Sequence, residues 1–159
     1  WLLHIVGDLH QPLHAAERFS AAWPDGDGGG SRPYLLDPLT GEPIALHWLW
    51  DDSVNRSGVA ADVDRRAREI EAAHPRSALA ELQTTSPPEA LARRAHDESY
   101  ALARSLAYGA EPPTGRRPED APPAPQPYWY AVRAAAEVRV AIAGYRIADL
   151  VIAALDPAP

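Results

Sequence analysis

The sequence predicts an all-α chain with long loops. Three observations carry that reading. Apolar residues recur at helical spacing through five segments. Proline and glycine, rather than alternating strand-like runs, punctuate the intervals between them. The 159 residues with an ordinary apolar content form one core-bearing unit, so residues 1–159 read as a single domain.

Residues 1–11 pattern as a buried helix, with Leu2, Leu3, Ile5, Val6 and Leu9 surrounding His4 and Asp8. Pro12 ends or kinks it near Gln11, because its ring excludes the preceding residue from helical geometry. Residues 15–45 read as loop, with a flexible turn at Asp25 to Ser31 and a short hairpin pairing Tyr34–Leu36 with Ile44–Ala45. A helix returns over 46–56, and Trp48 and Trp50 are expected to pack the core. Residues 60–74 form a charged amphipathic helix with Val63, Ala67, Ile70 and Ala73 on one stripe, stopped by Pro75. Ser86 as cap, Pro87 in the first turn and Glu89 three residues after the cap start a helix that runs to about Tyr108, where Gly109 stops it. Residues 110–127 are a Pro-rich linker or surface loop. Tyr128 to Leu155 is a long helix whose buried stripe includes Val132, Ala136, Val140, Ala143 and Ile147.

Composition excludes several functions. No apolar run approaches the ~20 residues of a membrane helix, and the first residues do not pattern as a signal peptide. There is no cysteine, so any metal is held by His, Asp or Glu. All basic residues are arginine, and the net charge of -7 argues against a broad basic face for nucleic acid. Phosphate remains an accessible substrate, because bound divalent cations supply local positive charge. Trp1 opens in mid-pattern, with no cap and no initiator Met. The chain is therefore expected to be the C-terminal portion of a longer domain.

The chemistry concentrates in residues 1–51. His4 and Asp8 are four apart, on one helix face and able to reach one ion. His47 and Asp51 repeat the spacing on a second helix. His14 lies past the Pro12 break, and with His47 and Asp51 it makes a three-ligand set with room for water, the open arrangement of catalytic zinc. A single buried histidine is more often a satisfied core residue, and a single His–Asp pair more often a surface pair. Two such pairs in apolar helices are different, because buried carboxylates need partners. His10 fits two readings equally: a group behind the ligands that orients one of them or an approaching phosphate, or a helix-end histidine capping carbonyls. His74 and His96 read as solvated.

His4-x3-Asp8-x-His10-Gln11-Pro12-Leu13-His14, the Gly-rich turn, and Leu46-His47-x2-Trp50-Asp51 resemble the zinc-dependent single-strand-specific nucleases of fungi and plants. These share a superfamily with the bacterial zinc phospholipases C. Glu98-Ser99 and the stretch Ala143 to Leu150 resemble that family's later helices, so the resemblance spans nearly the whole chain. It implies the mainly helical fold of that superfamily and a cleft holding three zinc ions. By position His4 and Asp8 would serve a paired site, with Asp8 bridging its two ions as the catalytic metal ligand. His14, His47 and Asp51 would hold the third ion. The turn Asp27-Gly28-Gly29-Gly30-Ser31 resembles the family's Asp-x-Gly-Gly-Asn, with Ser31 in place of Asn. Trp1 does not correspond to the zinc-binding Trp that opens the mature family members, since it lies in a helix that is mid-chain there.

The implied function is zinc-dependent phosphodiester hydrolysis of single-stranded nucleic acid or nucleotides, with 3′-nucleotidase activity and 5′-phosphorylated products. The implied location is secreted or periplasmic, with no stable protein partner. Two alternatives are a zinc phospholipase C and a zinc-binding fragment that performs no chemistry and holds about one zinc. Asp51 in place of Glu, together with the Gly-rich turn, favours the nuclease over the lipase.

Overall fold

A computed structural model describes residues 1–84 and 87–155 of the chain. The elements run α1 (Leu2–Asp8), β1 (Tyr34–Leu36), β2 (Pro43–Ala45), α2 (Leu46–Asp51), α3 (Ala60–Ala73), α4 (Pro88–Leu102) and α5 (Gln126–Leu155). The fold is mostly helical, with one two-stranded antiparallel hairpin that pairs Leu35 with Ile44.

Helix α5 is the spine. Its 30 residues extend about 45 Å at 1.5 Å per residue. Tyr128, Trp129 and Val132 in its first half pack against Leu13, Leu35, Leu46, Leu49 and Trp50. Its second half puts Ala141 and Ile142 against Ile70 of α3 and Leu79. The Trp50 indole N–H donates to the Tyr128 hydroxyl at 3.2 Å, and that hydroxyl donates to the Ala107 carbonyl at 3.1 Å. Burial pushes the Tyr128 phenol up to about 12, against the Trp50 hydrogen bond, which lowers it. The polar ends of both rings are thus satisfied inside the core.

Several elements depart from the sequence reading. Helix α1 ends at Asp8, and a 3-10 turn follows over Pro12–His14. It is not buried: Val6 alone is enclosed, while Leu2, Leu3 and Ile5 face outward. A seven-residue helix has only one face to give to its neighbour, here α5, and its other apolar residues are left outside. Helix α2 stops at Asp51, where the Ser53 hydroxyl takes the Trp50 carbonyl at 2.7 Å. Trp48 is 58% exposed and Trp50 3%, because residues two apart on a helix point to opposite sides. Helix α4 closes in a π turn, Ala103–Ala107. Gly109 follows because a Cβ there would lie 2.1 Å from the Arg104 carbonyl oxygen. The expected Ser86 cap with Glu89 lies outside the described residues. Of the two readings of the Pro-rich segment, it is a surface loop pinned along the hairpin edge: Gly115 exchanges backbone hydrogen bonds of 2.7 and 2.9 Å with Tyr34, and Leu36 donates to the Pro122 carbonyl at 2.7 Å. This covers the free edge of β1. His74 is half-buried beside Glu137, 3.8 Å away.

The buried stripe of α5 also differs. Val140 is exposed, and Arg139 and Arg146, seven residues apart, point inward instead. Glu98 of α4 takes Arg139 at 2.9 Å and both outer nitrogens of Arg146 at 2.8 and 2.7 Å. Burial alone would raise the Glu98 carboxyl, but the two guanidinium groups outweigh it and hold it at about 2. Arg146 also donates to His10 Nε2 at 2.8 Å. That nitrogen must then carry a lone pair, so the proton sits on Nδ1 and is donated to the Val6 carbonyl at 2.6 Å. Burial, with help from both arginines, lowers the His10 pKa from 6.5 to about 4.

Acid should therefore weaken the metal-free fold in two windows. Between pH 6.5 and about 4 the unfolded chain protonates His10 while the folded chain does not, so stability falls as pH falls. The contribution of Glu98 is complete above 4.5 and is lost as pH drops through about 2. Thermal melts against pH should show the upper window shrinking in His10→Gln. Identical slopes for the variant and the parent would contradict a buried neutral His10.

Candidate metal centre

Asp27 organises the loop that supports the site. It is fully buried, and its Oδ1 accepts from the Arg18 N–H at 3.1 Å, the Gly30 N–H at 3.2 Å and the Tyr108 hydroxyl at 3.0 Å. Burial and the adjacent Asp27 carboxylate push the Tyr108 phenol far above its usual range. The loop so anchored turns through Gly28, Gly29 and Gly30, all with positive φ. At Gly29 (φ 59°) a Cβ would lie 2.8 Å from the Leu13 carbonyl oxygen, so the position excludes other residues. The Gly30 carbonyl accepts the His47 backbone N–H at 2.9 Å and sets the start of α2.

The turn brings two histidines face to face. His47 Nδ1 lies 2.7 Å from the Gly29 carbonyl oxygen, and His14 Nδ1 lies 3.1 Å from that of Asp8. Carbonyl oxygens only accept, so both Nδ1 atoms carry a proton, and with each ring neutral both Nε2 atoms carry a lone pair. Those two Nε2 atoms stand 3.2 Å apart. Two lone pairs directed at each other repel unless a cation lies between them. For two nitrogens about 2.0–2.1 Å from one tetrahedral zinc, the expected separation is about 3.3 Å. Asp51 Oδ2 is 3.6 Å from His47 Nε2, and the donor atoms of His14, His47 and Asp51 all lie within 4.8 Å of one another. Two imidazoles and a carboxylate, with an open side, fit zinc and leave a position for water.

Gln11 completes this set, and the sequence reading did not assign it a role. Its Oε1 accepts the Leu13 N–H, which turns its NH2 group to Asp51 Oδ1 at 2.9 Å. A side-chain amide inside a ligand motif, placed just before a proline-initiated turn, was the available signal. The carboxylates are not buried as expected: Asp51 is exposed and Asp8 half-exposed. Buried carboxylates therefore do not call for a metal here; the converging histidine lone pairs do.

His4 and Asp8 form an open pair on α1, with Nε2 to Oδ2 at 3.2 Å. Asp8 Oδ1 is 4.0 Å from His14 Nδ1, which places Asp8 between His4 and the three-donor group. Among the described residues no third side chain joins His4 and Asp8 in a compact donor set. His10 is turned inward, with both ring nitrogens engaged by Val6 and Arg146. Ser31 is exposed at the end of the glycine turn.

The family model for S1/P1 nuclease matches residues 1–156. The chain belongs to that family. Its members are zinc-dependent nucleases, hydrolases of phosphodiester bonds, within the superfamily that includes the zinc phospholipases C. No curated protein and no solved structure matches the chain. Asp8, His14 and Asp51 border a cleft of about 430 Å³ that Val140, Ala143 and Ile147 of α5 also line. No helix among the described residues is long and apolar enough to cross a membrane.

Gly29→Ala tests the support of His47. The strained φ should cost about 1–2 kcal/mol of stability, and displacement of the Gly29 carbonyl should weaken zinc binding about tenfold or more. Chelator competition measures the second effect. Unchanged affinity would show that the Gly29 carbonyl does not orient the histidine.

Proposed function

We propose that this site hydrolyses phosphodiester bonds in single-stranded nucleic acid, with zinc held by His14, His47 and Asp51. The observation that carries the reading is the pair of Nε2 lone pairs 3.2 Å apart, each fixed by a backbone carbonyl. His4 and Asp8 would help hold further zinc beside that ion. Zinc, when bound, supplies Lewis acidity toward phosphate oxygens and lowers the pKa of a coordinated water toward about 7. His14 and His47 hold their lone pairs on one point. Gln11 fixes the rotation of the Asp51 carboxylate so that Oδ2 is presented to the same point.

The wall formed by Val140, Ala143 and Ile147 offers an apolar face beside the donors. A base can lie on such a face only when unpaired, which supports the single-strand preference. The net charge of -7 leaves phosphate attraction to the metal site rather than to a basic groove. Products would carry 5′-phosphates, and 3′-nucleotides would be substrates too. The working compartment would be extracellular or periplasmic, as is typical of the family.

One observation favours the second reading, a zinc-holding chain without chemistry: His4 and Asp8 lack a third donor among the described residues. The test presents zinc-loaded protein with single-stranded DNA, duplex DNA and phosphatidylcholine. Single-strand cleavage that a chelator abolishes is expected, and His47→Ala should lose both tight zinc binding and cleavage. Turnover of lipid alone would refute the nuclease reading. Tight zinc binding with no ester cleaved would leave the second reading standing in its place.

A further inference from the structure

Helix α1 ends facing two ways. Toward the solvent, the Asp8 carbonyl orients His14 and Gln11 orients Asp51. Between Asp8 and Gln11 lie Leu9 and His10, whose carbonyls fall beyond the helix and have no helical partner. Both are taken from the opposite side by buried side chains of α4 and α5. The Ser99 hydroxyl donates to the Leu9 carbonyl at 2.6 Å. Arg139 Nε donates to the His10 carbonyl at 3.3 Å, and Arg146 donates to the His10 ring at 2.8 Å. Arg139 also donates to the Ser99 oxygen at 3.2 Å, which leaves the Ser99 proton free for Leu9. Glu98 holds both guanidinium groups in place.

We propose that Glu98, Ser99, Arg139 and Arg146 are positioning residues of the metal centre, clamping the Leu9–His10 turn so that Asp8, Gln11 and His14 stand where the metal requires them. The proposal rests on the reading of His14, His47 and Asp51 as zinc ligands.

Stability alone does not account for this cluster. A buried ion group is commonly no more stabilising than apolar residues of the same volume. Apolar residues, however, cannot bond a carbonyl from a fixed direction. Three directed contacts on two adjacent residues fix the turn in position and in rotation. Metal ligands tolerate displacement of only about 0.2 Å, so an error at the turn is transmitted to both flanking contacts. None of the four residues touches the zinc donors, and each acts through the turn.

Ser99→Ala removes one hydroxyl from the clamp without adding bulk. Arg146→Lys keeps the charge but loses the two-point grip of Nη1 and Nη2 on Glu98. Three quantities are measured for each: zinc affinity by chelator competition, the ligand-field spectrum of the Co²⁺-substituted protein, and the melting temperature of the zinc-free protein. Ile70→Ala, in the distant α3 core, provides a comparison for plain destabilisation. Both clamp variants should bind zinc about tenfold more weakly with shifted Co²⁺ bands, while Ile70→Ala melts lower with affinity and spectrum unchanged. If the clamp variants behave like Ile70→Ala, the cluster is core structure and the proposal is overturned. If the parent protein binds no zinc, the metal-centre reading falls and the proposal falls with it.

Discussion

One carboxylate keeps two arginines inside this protein. Glu98 meets Arg139 and Arg146, two turns apart on α5, and removing a partner from such a buried group costs several kcal/mol. The register of α4 against α5 is therefore fixed: a slide of one turn would leave a guanidinium uncompensated. The same arginines reach across to His10, so α1 is tied to that register too. A helix of seven residues with one enclosed side chain has little packing of its own to locate it. Its C-terminal end is located by directed hydrogen bonds, and the metal-facing residues begin there.

The metal centre is assembled from backbone carbonyls as much as from side chains. His14 takes its orientation from Asp8 and His47 from Gly29, two carbonyls on segments about twenty residues apart in the chain. What brings these segments together is the buried Asp27, which folds the glycine turn back onto the start of α2. Two of the three glycines serve different ends. Gly29 gives a carbonyl and a gap for Leu13, while Gly30 gives the carbonyl that sets the first turn of α2.

Much of this was legible in the sequence, for a physical reason. Spacing of four on a helix and a proline break are local properties, and they were enough to group His14 with His47 and Asp51. The hairpin and the long final helix are also local. The parts that could not be read were those decided by a partner distant in sequence. Arg139 and Arg146 were left out of the buried stripe because nothing near them in the chain neutralises them; Glu98 does. Trp48 looked like core because neighbouring tryptophans share an apolar context, whereas the helix turns one outward. The Pro-rich segment read as linker or surface loop because its order lies in pairing with β1, 80 residues earlier. Asp51 was expected to need a metal because it would be buried. It is exposed, and the case for a metal came instead from the tautomers of two histidines.

The acidity of the chain bears on how such a site gains its substrate. With a net charge of -7 and most arginines paired to carboxylates, the surface offers little long-range attraction for a polyanion. Positive charge at the cleft must be local and dense, as a divalent ion among neutral imidazoles is. His14 and His47 contribute no charge of their own when they bind metal, and Asp51 offsets only part of it. The site then carries positive charge only with metal in place, so metal binding and affinity for phosphate rise and fall together. In that case the buried residues that hold the Leu9–His10 turn influence substrate binding without contacting either substrate or metal.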